Sequence, residues 1–468
     1  MHNKKIFIFL PDGIGLKNFA YTNFHKIGLE KGFDITFLNN TPFDLSQLNI
    51  KEIKIKNAKV HPITDLLKVA QTHIELSQSI SKSKDKVYDS YRFPLAFINV
   101  KSSLKSIIIK LIIAFNNSTN GLKRIRKKIA DKERKTKLYF DSLELLKKEN
   151  PAMVFCTNQR IMLAVAPILA AQDLGIPTAT FIFSWDNLPK GTKILETDFY
   201  LVWSEHMKKE LHYYYPHIDE NQIIITGTPQ FETHFQDNLI VSRDAFFKEH
   251  NLDTSKRYVC YSGDDITTSP NDPVYLADLA IAIEKLNAKG SNLGVIFRRC
   301  PVDFSDRFDS VLEKYKDTVF CIDPKWNKIG EGWQTILPTK EDLILQMNTI
   351  FHSELVINLG SSMVFDYVAF NKPCGYVNYD VPNCDVANWS VKKIYNFIHF
   401  RSMPSKDSVF WINNPNDMAE VVEKMLNHQS AQVIANAQKW FEKINQYPPQ
   451  MASERIWNAI NKICTKSC

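Results

Sequence analysis

Among the eight cysteines of this 468-residue sequence no two form a Cys-x-x-Cys pair, and glycine is scarce, at 15 residues. The first absence excludes zinc-ribbon and dithiol redox motifs. With most cysteines in or beside apolar runs, a reduced, cytosolic protein without a disulfide framework is expected. The second absence, with 21 scattered prolines, leaves no low-complexity linker and no fixed-period repeat. Long apolar runs are missing as well. "KKIFIFL" (Lys4 to Leu10) is too short for a leader's apolar core, and Pro11-Asp12-Gly13 follows it. "SIIIKLIIAF" (Ser106 to Phe115) is about half the ~20 residues that a bilayer span requires, and Lys110 interrupts it, so no transmembrane helix is expected. There is no Asp-x-Asp, and the histidines form no ligand pair at helical spacing; His352, at a strand start, reads as structural. What is present is 44% hydrophobic residues, enough to build two or three globular domains.

Charge is unevenly placed. Lys101 to Lys137 holds twelve lysines and arginines against Asp131 and Glu133, a net +10 that exceeds the +7 of the whole chain. The remainder is therefore mildly acidic. An apolar stretch followed by dense Lys/Arg suits a helix resting on an anionic membrane surface, and equally a solvated helical face over a buried helix. Nucleic acid is not expected as a partner, because the charge is local and no aromatics interleave with the basic run.

Short apolar runs alternate with helical patterns along the chain. In the first half they are Lys4 to Leu10, Asp34 to Leu38, Ala152 to Cys156, Thr178 to Phe183, Phe199 to Trp203 and Gln222 to Thr226. In the second they are Arg257 to Ser262, Leu293 to Arg298, Thr318 to Ile322, Leu355 to Asn358 and Cys374 to Tyr379. Alternation of this kind predicts an α/β protein with two parallel, Rossmann-like sheets facing a cleft and ligands beyond the carboxyl ends of the strands. Late helices are predicted over 417–426, 430–444 and 452–463.

Several strand ends carry residues suited to phosphate. In "LVINLGSSMVFDYVAFNKPC", Gly360 permits close backbone approach, Ser361 and Ser362 add hydroxyls, and free amides are expected at the start of the helix from Met363. Asp366 would then reach ribose hydroxyls. The same pattern also describes a plain N-cap with a first-turn acid. Arg298 and Arg299 end one strand, and Ser262-Gly263 ends another; arginine there suits phosphate, while a salt bridge and a simple turn are the plain readings.

"ITGTPQFE" (Ile225 to Glu232), "RRCP" (Arg298 to Pro301) and "NLGSSMVFDYVAFNKP" (Asn358 to Pro373) occur in this order and resemble the marks of GT-B glycosyltransferases that build bacterial surface polysaccharide, a superfamily that includes CDP-glycerol glycerophosphotransferases, Kdo transferases and UDP-GlcNAc 2-epimerase. "FSWDNLPKG" (Phe183 to Gly191) resembles a stretch in the first domain of such enzymes. The chain departs from them in having Arg299-Cys300-Pro301 where relatives often have Arg-Pro-His-Pro.

The resemblance implies an acceptor domain over 1–235 with a helical, basic insertion at about 62–148, a nucleotide-donor domain over 236–430, and helices over 431–468 that cross back to the first domain. It implies a nucleotide-sugar donor held by Gly227, Pro229, Gln230, Ser262, Gly263, Arg298, Arg299, Trp333, Leu337, Gly360, Ser361, Ser362, Met363 and Asp366. The acceptor, a saccharide or lipid-linked saccharide, would meet Gly13, Gly15, Trp185, Asn187 and Lys190. Asp186 and Asp12, each following a strand, are both candidates for the general base. No metal or other cofactor is expected; amides, hydroxyls and arginines would carry that charge. The expected enzyme is an inverting glycosyltransferase of the cytoplasm, at the inner face of the membrane. A CDP-polyol phosphotransferase and a non-catalytic nucleotide-binding scaffold are the alternatives.

Overall fold

A computed structural model describes residues 4–329, 335–382, 386, 389–427 and 430–466. The chain divides into two compact units, one comprising residues up to Gln230 together with those from Ile444 onward, the other Phe231–Lys443. The division falls at 230/231 and 443/444, where the sequence suggested 235/236 and 430/431.

The first unit holds seven parallel strands: β1 (Lys4–Leu10), β2 (Phe33–Asn39), β3 (Glu52–Lys54), β4 (Met153–Cys156), β5 (Thr178–Phe181), β6 (Phe199–Val202) and β7 (Ile223–Ile225), in the order β3-β2-β1-β4-β5-β6-β7. Helices cover the central strands, so Ile6 to Leu10 and Met153 to Cys156 are fully buried. Burial on both faces is why they read as continuous apolar runs. Between β3 and β4 lie the helices Thr64–Ser83, Val100–Asn116, Thr119–Glu133 and Lys137–Glu149, the basic insertion. The last helix, Ala452–Lys466, closes this unit: Trp457 stacks on Phe24 and Phe33, and a methyl at Gly28 would come within 2.3 Å of Trp457 Cζ2.

The second unit has a six-stranded parallel sheet of β8 (Arg257–Ser262), β9 (Leu293–Arg298), β10 (Val319–Ile322), β13 (Val356–Asn358), β14 (Cys374–Val377) and β15 (Phe410–Ile412), in the order β10-β9-β8-β13-β14-β15. An antiparallel pair, β11 (Trp326–Lys328) and β12 (Ile336–Pro338), stands apart. Helix Ala431–Ile444 packs here, with Trp440 and Phe441 against Phe365.

Each sheet reverses its strand order once, at β1/β4 in the first unit and at β8/β13 in the second. Loops after neighbouring strands at such a point diverge, opening a crevice at the carboxyl edge where α/β sheets bind ligands.

Candidate functional site

At the β1/β4 crevice the loops are joined by side chains. Asp12 takes an extended conformation after β1 and caps the turn Gly13–Gly15, its Oδ1 accepting from Gly15 N at 2.8 Å. Its Oδ2 accepts from Asn158 Nδ2 at 2.5 Å, in the loop after β4. Burial raises the Asp12 carboxyl above the ordinary aspartate range, opposed by these hydrogen bonds and by nearby Arg160. Lys68 is on the helix Thr64–Ser83, and burial, with the positive charge of Arg160, lowers its affinity for a proton. The crevice therefore combines a carboxylate of raised basicity with two cations. Asn158, Gln159, Arg160 and Lys68 escaped the sequence reading; the signal was a run of four polar residues, Thr157 to Arg160, directly after an apolar strand.

Asp186 sits in a different setting. Its Oδ1 accepts from Ser184 Oγ at 2.6 Å and Asn187 Nδ2 at 3.0 Å, and Lys190 forms an ion pair with Oδ2. Asn187 is buried and accepts from Gln159 Nε2 at 3.1 Å, which ties the loop after β5 to the loop after β4. The acceptor role expected of Asn187 and Lys190 is thus taken up by internal ties. Gly13 and Gly15 are corrected too: both are buried, and a methyl at Gly15 would lie 2.6 Å from Thr157 Oγ1, so Gly15 serves loop packing. Trp185, in the loop after β5, is half-buried.

The loop after β5 is held from behind by an ionic network. Lys193, with no exposed surface, pairs with Glu196 at 2.7 Å, and Arg126 bridges Glu196 and Glu75 at 3.3 and 3.0 Å. These charges hold the Glu196 carboxyl well below its usual range. Thr72 Oγ1 and Gln71 Nε2 add bonds to the carbonyls of Gly191 and Lys193.

At the β8/β13 crevice the Gly360-Ser361-Ser362 turn remains accessible, each residue half-buried. Gly360 has φ +68°, the left-handed region, and a methyl there would meet Phe400 Cζ at 3.0 Å. Asn358 Oδ1 accepts from Ser361 N at 2.9 Å, and the Tyr376 hydroxyl donates to Ser361 O at 2.9 Å, so the turn is rigidly set. The following helix is short, Met363–Val368, and its dipole adds less than the sequence suggested. Asp366, expected to reach ribose, is buried, its Oδ1 accepting from His234 Nε2 at 2.8 Å. Met363 is buried as well.

Next to the turn, Asp264 follows β8. Its carboxyl is pushed well above the carboxylate range by burial and by Asp272 and Asp265, and its field reaches Tyr376 and Tyr395. Asp272 is itself raised to about 6 by burial. Tyr395 and Phe400 also wall a cavity of about 630 Å³ beyond the ends of β14 and β15, whose lining includes Trp411, Lys392, Arg401 and Lys406.

The arginines require correction. Arg298 is 5% exposed, and its Nη2 donates to both oxygens of Asp342 at 2.9 Å. Asp342 also accepts from Trp326 Nε1 at 2.7 Å and Lys325 N at 2.8 Å, so Arg298 anchors the β11–β12 hairpin to the sheet. Arg299 Nη1 donates to Ser305 O at 2.5 Å, inside its own loop. Ser262 and Gly263 are buried, and a methyl at Gly263 would stand 3.0 Å from Phe297 Cε2, so Gly263 makes room for the neighbouring strand's side chain. Leu337 is buried in β12 and packs instead of facing a base; Trp333 lies outside the described residues.

The Gly227-Thr228-Pro229-Gln230 turn is also structural. Gly227 has φ +77°, and a methyl on it would lie 2.7 Å from Arg455 Nη2. Arg455 Nε donates to Thr226 O at 2.6 Å, and Thr228 N to Asn445 Oδ1 at 3.0 Å. These bonds tie the point where the chain leaves the first unit to the point where it returns. Pro229 is buried and Gln230 half-buried.

No three His, Cys, Asp or Glu side chains gather as a metal site among the described residues. The described cysteines are free, with Cys156, Cys260, Cys374 and Cys464 buried.

No protein-family model matches the sequence, and none of the curated proteins does. Solved structures do match along the whole chain. S. aureus MnaA in complex with UDP superposes with TM-score 0.55 at 13% identity, covering 99% of this chain and 97% of that one. The UDP-GlcNAc 2-epimerase of Methanocaldococcus jannaschii gives 0.51 at 15% identity, covering 98% and 99%. A glycosyltransferase from Rickettsia africae gives 0.52 at 11% identity, covering 99% of both chains. At these identities the likeness is one of fold: two Rossmann-like α/β domains, as in GT-B-like enzymes.

Proposed function

We propose that this protein is a nucleotide-sugar enzyme that transfers a glycosyl group to a saccharide or lipid-linked saccharide acceptor in surface-polysaccharide synthesis, with inversion. The observation that carries the reading is the pairing of chemistry with topology: each sheet's switch point holds the polar loops, Asp12 and Asn158 to Arg160 in one, Gly360 to Ser362 and Asp264 in the other. In the second unit the turn's hydroxyls and amides bind the donor diphosphate, and we place the base against the aromatic walls of the neighbouring cavity. In the first unit Asp12 takes the proton of the acceptor hydroxyl, while Arg160 and Lys68 hold an anionic part of the acceptor. The acceptor oxygen attacks the anomeric carbon, that carbon's bond to the diphosphate oxygen breaks, and the nucleoside diphosphate leaves. A single displacement inverts the anomeric centre.

A second reading, 2-epimerisation of the nucleotide sugar itself, is favoured by the whole-chain likeness to structures described as UDP-GlcNAc 2-epimerases. One assay separates the two. The protein is incubated with UDP-, CDP-, GDP- and dTDP-sugars and with CDP-glycerol, with and without saccharide acceptors. Acceptor-dependent release of nucleoside diphosphate is expected. An epimeric sugar formed without acceptor supports the second reading. CMP released from CDP-glycerol supports polyol-phosphate transfer, and binding without any turnover supports a scaffold.

A further inference from the structure

We propose that the helix Val100–Asn116, with the loop before it, is a docking surface for an anionic lipid bilayer. The helix has two apolar faces. One, including Ile109, is buried against the first unit. The other points to solvent: Val100 is 86% exposed and Phe115 76%, and Leu104, Ile107 and Leu111 between them are also exposed. Their spacing places them on one stripe about 100° wide, running the length of the helix. Phe93 and Ile98, exposed in the preceding loop, extend it. The loop is fixed to the helix by Ser106 Oγ donating to Ala96 O at 2.6 Å and by the Asn99 capping box. Seven exposed large apolar side chains in one patch far exceed the scattered single ones of an ordinary surface.

Charge selects the occupant. On the helix, Lys101 and Lys105 flank the stripe on one side and Lys110 on the other, with the Lys110 ammonium 4.8 Å from the Phe97 ring centre. At the far end Arg124 Nη2 donates to Phe115 O at 3.2 Å. From Arg92 to Ala130 there are nine lysines and arginines and no acid. A second copy of this chain on the stripe would bring these lysines against themselves with no carboxylate nearby to pair them. Anionic headgroups supply the missing counter-charge, with lysine stems snorkelling beside apolar side chains that enter the acyl boundary. The helix lies in the interface and does not cross it; no helix among the described residues is long and apolar enough to span. The inference is independent of the proposed reaction.

Flotation of the full chain with vesicles tests it. The wild type is expected to float with phosphatidylcholine–phosphatidylglycerol vesicles, to stay behind with phosphatidylcholine alone, and to dissociate as salt is raised. Leu104→Asp with Leu111→Asp, and separately Lys101→Glu with Lys105→Glu and Lys110→Glu, are each expected to weaken binding at least about tenfold at unchanged melting temperature. The sites are exposed, so folding is spared. Failure of the wild type to bind anionic vesicles overturns the proposal, as does equal binding by all variants. A wild-type dimer in light scattering that Leu104→Asp with Leu111→Asp converts to monomer, with no vesicle binding, overturns it in favour of a second copy.

Discussion

Asp12→Asn is expected to lower turnover by about 10²–10⁴-fold, the range ascribed to a positioned general base, while folding and nucleotide binding persist. Asparagine keeps the cap on Gly15 N, since it is as good an N-cap as aspartate, but it gives up the bond that Oδ2 accepts from Asn158 Nδ2, so thermal melts of the variant accompany the rate measurement. What it loses is the capacity to take a proton. Burial has raised the Asp12 carboxyl, which makes its ionised form a stronger base than an exposed aspartate. The rate should therefore rise with pH through an apparent value above the ordinary ~3.9 of aspartate, and the variant should lack that limb. The same shift acts on stability with a definite sign. Between the unfolded value near ~3.9 and the raised folded value, the folded state binds more protons, so stability falls as pH rises across that window and is level above it. Asp12→Asn removes that slope. Asp186→Asn, by contrast, removes an ion pair with Lys190 and should change turnover far less. Initial rates of nucleotide release across pH, beside thermal melts of the same proteins, check both statements.

Asp342→Asn is expected to cost about 3–5 kcal/mol of stability, the range for stranding a buried charge. Arg298 and Asp342 are both almost fully buried, and Asp342 also receives Trp326 and Lys325, so its removal releases a hydrogen-bonded centre. The double change Arg298→Met with Asp342→Leu should cost less, because no unpaired charge stays inside, the remaining loss coming from Trp326 Nε1 and Lys325 N, which give up their acceptor. Urea unfolding of the three proteins measures this. Were Arg298 instead a donor-phosphate ligand, its replacement would lower nucleotide affinity and leave stability nearly intact.

How much of this could be read in the chain depends on how local the cause is. β1 spans Lys4–Leu10, as its apolar run suggests, because strands covered on both faces leave no polar interruption. The half-buried edge strand β3, "EIK", and the three-residue β15, "FWI", have no comparable signature. The Gly-Ser-Ser turn was legible because strand, glycine and helix adjoin in sequence. Arg298 was not, because its partner lies 44 residues away, and Asp12 meets Asn158 across 146. Ser262-Gly263 looked open because sequence does not reveal that Phe297 of the neighbouring strand fills the space. Which loops meet at each crevice follows from strand order, and strand order is set by pairing across the whole sheet.

The central claim is that the Gly360-Ser361-Ser362 turn holds a nucleoside diphosphate. Calorimetric titration of UDP, CDP, GDP and dTDP into the wild type and into Ser362→Glu tests it most directly, since a carboxylate placed there repels the ligand's phosphates. The account predicts that at least one diphosphate binds the wild type and that Ser362→Glu binds it at least about tenfold more weakly with an unchanged melting temperature. Binding that Ser362→Glu leaves intact, or no binding of any of the four, would contradict it.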